Sequence, residues 1–209
     1  MITTHPDVST VSEVALLGTG TLTITQTGSE ALTIEAEDNI MPKIKTSVEN
    51  NRLTIGFEDA TNISPTKPIK YDLSVKDLAA VELAGSGDIN LSTLKTDALK
   101  ASISGSGSLV VGSLSVNSLV VSIPGSGHMA IGGTTPIETI DIPGSGSYNG
   151  NRLDCKEAKV TIGGSGTVSL RVSDNLDVTI SGSGSVNYLG NPTITKNITG
   201  SGHINKIGD

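Results

Sequence analysis

Tryptophan is absent from this 209-residue chain, and its aromatic residues are Phe57, Tyr71, Tyr148 and Tyr188 alone. Four rings spread over that length give no platform on which bases or sugars could stack. Cys155 is the single cysteine, so no internal disulfide can form. No apolar run approaches the roughly 20 residues of a membrane-spanning helix. No secretory leader is legible after Met1, where Thr3-Thr4-His5-Pro6 already turns polar, and the start is expected to follow the removal of one. Positive charge is scarce too: 14 Lys and Arg stand against 21 Asp and Glu, a net charge of −7. Residues 1–84 hold 12 acidic and 6 basic side chains and the remainder 9 and 8, so no basic stripe exists. Neither nucleic acid nor an anionic lipid surface is expected as a partner.

Glycine and serine are what the chain has instead. The triplets Gly85-Ser86-Gly87, Gly105-Ser106-Gly107, Gly125-Ser126-Gly127, Gly144-Ser145-Gly146, Gly164-Ser165-Gly166, Gly182-Ser183-Gly184 and Gly200-Ser201-Gly202 recur at steps of 20, 20, 19, 20, 18 and 18 residues. A fixed period of this size marks a repeat architecture whose units bury their apolar faces by stacking. Two residues before each triplet stand Leu83, Ile103, Ile123, Ile142, Ile162, Ile180 and Ile198. Four before it are Val81, Ala101, Val121, Ile140, Val160 and Val178, with Lys196 the exception. Four after its first glycine come Ile89, Leu109, Met129, Tyr148, Val168, Val186 and Ile204. Alternating Ile and Val describe strands with one buried face, and no segment shows the period of an amphipathic helix.

Each triplet therefore joins two short strands, and its glycines read as a corner or bulge, permitting unusual backbone conformations and close approach of adjacent chains. One circuit per 18–20 residues, with strands pairing to the circuits above and below, is a parallel β-helix. Rungs roughly 4.8 Å apart would advance the axis about 29 Å over six steps and line up the serines. A propeller needs about twice the period. An antiparallel barrel is compatible with the period but gives no reason for one triplet in every unit. Residues 1–209 are expected to form one continuous β-solenoid, with irregular N-terminal coils over 8–78 and regular coils over 79–209. Val14–Ile24 matches Val81–Leu91 in apolar pattern and glycine placement. Strand-like runs at Ala31–Ala36, Arg52–Phe57 and 69–75 are expected to supply about three longer rungs, interrupted near 39–42 and at a loop over 59–68.

Other constellations point to structure. Gly150 falls one residue late for a dinucleotide loop after Gly144-Ser145-Gly146, and no triplet opens a helix. Calcium-binding β-rolls need an aspartate in every unit, but Asp88, Ser108, His128, Ser147, Thr167, Ser185 and His203 follow the triplets. His128 and His203 lie four rungs apart, about 19 Å, and Asp88 and His128 two, so neither pair shares a metal or a proton; both histidines read as outward corner residues. Asn90, Asn149, Asn187 and Asn205 share an outward position that Val110, Ala130 and Ser169 interrupt. Cys155 shares the parity of Leu153 and reads as a small core residue. Lys196 and Lys206 replace apolar residues in the last repeat, where charge guards an open strand edge; they are read as an end cap.

The repeated Ile-x-Gly-Ser-Gly motif, with Leu32-Thr33-Ile34-Glu35-Ala36-Glu37-Asp38-Asn39 and Ser64-Pro65-Thr66-Lys67-Pro68-Ile69 near the start, resembles the putative auto-transporter adhesin family, also called the head GIN domain or DUF2807. The resemblance runs from about Val8 to Ile207. It implies a right-handed, single-stranded parallel β-helix in a bacterial protein secreted or held in the cell envelope. It implies adhesion, and it brings no catalytic residues. The resulting expectation is a non-enzymatic scaffold or adhesin-like protein, without cofactor or metal, that binds a cell-surface glycan or protein through an extended lateral face. A homo-oligomer is compatible with it. The alternatives are a self-assembling structural β-helix in the manner of the bactofilins, and a polysaccharide-active enzyme. The enzyme would need converging Asp, Arg and Lys, and Arg152 and Arg171 are the only arginines after residue 84.

Overall fold

The computed structural model describes residues 1–58 and 63–209. Strand makes up 63% of the chain and helix 1%, which places the fold in the β-solenoid class, with about 6 turns. The first strands are β1 (Ile2–Thr4), β2 (Glu13–Leu16), β3 (Thr21–Gln26), β4 (Ala31–Ala36), β5 (Ile44–Glu49), β6 (Arg52–Phe57) and β7 (Lys70–Val75), with a single 3-10 turn at Met41–Lys43. The regular region holds β8 (Ala80–Leu83), β9 (Asp88–Lys95), β10 (Ala98–Ile103), β11 (Ser108–Ser115), β12 (Ser118–Ser122), β13 (His128–Ile142), β14 (Ser147–Ile162), β15 (Thr167–Ile180), β16 (Ser185–Leu189), β17 (Thr193–Ile198) and β18 (His203–Gly208). Pairing from β8 to β18 is parallel throughout, each strand against its equivalent one coil on.

The columns counted from the triplets are the core. Leu83, Ile103, Ile123, Ile142, Ile162 and Ile180 are fully buried, as are Ala101, Val121, Ile140, Val160 and Val178 two residues before them on the same face. Ile198 and Ile204 are only partly covered because no further coil lies above them. An aliphatic column of this kind needs no aromatic centre, since each side chain is enclosed by its own equivalents above and below.

The N-terminal segment departs from the expected three rungs. β2 pairs in parallel with both β6 and β8, and β3 with both β7 and β9. The coil of residues 13–26 is thus inserted between the coil of β6 and β7, which follows it in sequence, and the coil of β8 and β9. Its match to Val81–Leu91 is a contact: Val14 sits beside Val81 and Leu22 beside Ile89. The remaining strands run antiparallel, β4 on β7, β1 on β4 and β5 on β6. They cover β6 and β7, so that β5 and the three-residue β1, each paired on one side, form the outer edges of this end. β5 and β6 turn through Asn50 and Asn51, both left-handed at φ 50 and 65. A two-residue hairpin loop requires that backbone, and Asn tolerates it best after Gly. Of the expected loop over 59–68, residues 59–62 lie outside the described part.

Candidate functional site

The triplet is a corner through which the backbone ladder continues unbroken. Ser106 N donates to Gly85 O at 2.9 Å, Ser126 N to Gly105 O at 3.1 Å and Ser201 N to Gly182 O at 3.0 Å. None of the fourteen corner glycines has left-handed backbone; both positions are glycine because of close approach. A Cβ on Gly105 would lie 1.9 Å from Gly85 O, and one on Gly127 would lie 2.4 Å from Ile103 Cγ2. The first glycine lets main chains stack, and the second makes room for the isoleucine of the preceding coil. All seven serines are exposed and form a ridge of hydroxyls along the corner.

Other residues singled out in the sequence stay on the surface. His128 and His203 are exposed, and His128 Nδ1 lies 2.8 Å from Ser147 Oγ. One asparagine pair stacks, Asn205 Nδ2 donating to Asn187 Oδ1 at 3.2 Å. Lys196 continues the column of Val178, and Lys206 that of Tyr188. Both lysines are exposed because theirs is the last coil, and Lys206 Nζ donates to Asn191 and Asp209. Among the described residues, no group of three or more His, Cys, Asp or Glu is placed to hold a metal.

Two features escaped the sequence reading. The first is a groove of about 810 Å³ at the bend between the two strands of a coil. It crosses five coils, through residues 115–117, 134–136, 154–156, 171–173 and 190–191, and four rung spacings make it about 19 Å long. Pro136 is exposed along it and Val116, Cys155 and Val172 lie buried at its base, with Lys156, Arg171 and Asp154 at the rim. Arg171 is loosely tied, its Nε 3.7 Å from Asp154 Oδ1 and 3.4 Å from Asn151 O. No sequence period marks the groove, since the bend residues differ from coil to coil.

The second is a buried acid. Six residues before the triplets the inward column runs Leu99, Leu119, Glu138, Ala158, Leu176 and Ile194. Glu138 is 1% exposed. Tyr148 donates its phenol to Glu138 Oε1, while Oε2 has no hydrogen-bond partner. Burial raises the Glu138 carboxyl to about 7, against the opposing pull of the Tyr148 hydrogen bond. Burial, then the neighbouring Glu138, raises the Tyr148 phenol well above its ordinary range. Cys155, at the groove floor, is buried and its thiol is pushed up to about 12 by burial and by Glu138. Cys155 Sγ donates to Glu157 O at 3.1 Å, as its ladder neighbour Thr135 Oγ1 does to Ile137 O at 2.9 Å. Cys155 is buried with the core, and its hydrogen bond places it at the bend. Counting the column at minus six, as was done at minus two and minus four, would have exposed Glu138 as its one charged member.

With the stacked triplets and their columns in view, the sequence profile of the family described as "Putative auto-transporter adhesin, head GIN domain" matches residues 11–192. The chain belongs to this family. No curated protein matches the head GIN chain. A crystal structure of a putative adhesin from Bacteroides fragilis is similar at 26% identity and a TM-score of 0.94, over 99% of this chain and 96% of the other. A putative lipid binding protein from Parabacteroides distasonis is similar at 26% identity and TM-score 0.80, over 99% and 96%. A putative adhesin from Parabacteroides merdae, at 22% identity and TM-score 0.77 over 99% and 95%, shares the head GIN fold.

Proposed function

We propose that this head GIN protein is a non-enzymatic binding scaffold, secreted or held in the cell envelope, that engages a surface glycan or protein through its lateral face. The exposed serine ridge carries the reading: one hydroxyl recurs per coil, every 4.8 Å or so, across seven coils. Spacing of that kind favours an extended partner gripped by many weak polar contacts, with total affinity built by repetition. The family description and the adhesin relatives support the same role, and the bacterial relatives support the compartment. Glycan and matrix-protein arrays probed with the folded chain test it. Reproducible binding that weakens when Ser106, Ser126 and Ser145 are replaced by Asp supports the reading; silence across both arrays removes it. Lys196 and Lys206 act in this proposal as guards of the C-terminal end, keeping the scaffold from growing end to end as a bactofilin-like polymer would.

A second reading is that the chain holds an amphiphile. The apolar groove favours it, and so does the relative described as lipid binding. Saturable uptake of dodecanoate, or of dodecan-1-ol, by the purified chain tests that reading.

A further inference from the structure

The groove has a direction. Its apolar residues Val116, Pro136, Cys155 and Val172 come from four successive coils, and its two cations, Lys156 and Arg171, stand on the third and fourth of its five coils, none on the first two. Val116, at the other end, is joined by the neutral Ser115 and Asn117. A volume of about 810 Å³ falls within the 300–1,000 Å³ range of small-molecule sites, which are mostly apolar with a few placed polar groups. A length of about 19 Å suits one extended chain. An isolated charge is unwelcome on an apolar floor, so a charged ligand must keep its head where compensation exists, and here only Lys156 and Arg171 supply it. Arg171 is 39% exposed in its side chain, and its present partners stand at 3.3–3.7 Å, a loose set that a well-placed anion can supplant.

Resting on the amphiphile reading above, we infer that the groove takes a single-chain amphiphile with an anionic carboxylate head, and in one orientation. The carboxylate lies across Lys156 and Arg171, and the tail runs toward the N-terminal end over Cys155, Pro136 and Val116. From the coil of Arg171 to that of Val116 are three rungs, about 14 Å. Asp154, at the same rim, opposes the head, so anion binding swings the Arg171 guanidinium away from it. A neutral alcohol of the same length gains the floor but not the head contacts.

The absence of Trp makes the test direct. Ser115 is exposed at the distal end of the groove and in a strand, where Trp is well tolerated; Ser115→Trp places the only indole of the chain there. Dodecanoate and dodecan-1-ol, each below its self-association limit, are titrated into the wild type by calorimetry and into Ser115→Trp by fluorescence. Dodecanoate is expected to bind one per chain and at least 10-fold more tightly than dodecan-1-ol. Lys156→Gln with Arg171→Gln should erase that preference while leaving the alcohol unchanged. 11-Bromoundecanoate, brominated at the tail end, should quench the introduced indole more strongly than 2-bromododecanoate. If neither probe binds, the amphiphile reading and the inference fall together. Should the alcohol bind as well as the acid, or 2-bromododecanoate quench more, amphiphile binding stands and the assigned head and direction are overturned. Circular dichroism and melting temperature, unchanged in the variants, tie any loss to the groove.

Discussion

Glu138→Gln is the substitution whose outcome the structure sets most narrowly. Glu138 stands in a column of Leu and Ala with only the Tyr148 phenol for company. Its carboxyl is raised from 4.5 to about 7 in the folded chain. A raised acid binds its proton more tightly when folded, so the stability it contributes is complete below about pH 4.5 and is lost as pH climbs through 7. At about 1.36 kcal/mol for each pH unit separating the two values, the loss is roughly 3 kcal/mol. The groups facing it are Tyr148 and Cys155, both raised, so neither adds a charge in that window. Glutamine keeps the shape and the acceptor for Tyr148 but has no proton to lose. Urea unfolding of wild type and Glu138→Gln at pH 4.5, 5.5, 6.5, 7.5 and 8.5 is the assay. Other carboxylates cancel in the difference: Glu30 and Glu37, lowered by hydrogen bonds from Thr10 and Thr66, act only at lower pH. Between pH 4.5 and 8.5 the variant should gain roughly 3 kcal/mol on the wild type. Parallel curves would show that Glu138 titrates normally and would refute the reasoning.

A corner glycine and a neighbour just outside a triplet make a contrasting pair: Gly105→Ala drives a Cβ to 1.9 Å from Gly85 O, whereas Gly163→Ala meets nothing closer than 3.4 Å. Thermal melts should show a loss of about 3 kcal/mol or more for the first and a change within about 1 kcal/mol for the second. Lys196→Ile combined with Lys206→Ile should extend the apolar columns to the open end and produce concentration-dependent association by light scattering; a strictly monomeric double variant would remove these lysines from the role of guards. Asn51→Val, forced to φ near 65, should cost about 1–2 kcal/mol and loosen hydrogen-exchange protection in β5 ahead of the regular coils.

The regular coils were legible because each position is enclosed by its own equivalents, so one column of the aligned repeats is one column of the core. Leu83 to Ile180 illustrates it: a single chemical demand repeated six times in the sequence and met six times in the fold. The N-terminal end was not legible in the same way. Whether the run at Arg52–Phe57 stacks on the side of β2 away from β8 depends on pairing between distant segments, and nothing local to either states it. Antiparallel β4 and β5 alternate no differently from parallel strands, although Asn50-Asn51 did carry a hairpin signal. The groove was hidden for the opposite reason. It is built where equivalent residues differ, as in Thr135, Cys155 and Val172, so a search for sameness passes over it.

The intercalated coil of residues 13–26 has a consequence for how the molecule comes into being. Because Val14 must meet Leu53's strand on one side and Val81 on the other, winding cannot begin at the first residue and proceed turn by turn. Early-synthesised segments wait, unsatisfied, until the polypeptide has been made past β9, and only then does the blunt end lock as a unit. The opposite end has no such dependency: coils there add one after another onto a finished foundation. Shortening the chain from its C-terminus should therefore peel turns away one at a time, while excising the first thirty or so positions should strip the seed from which all of them are laid down.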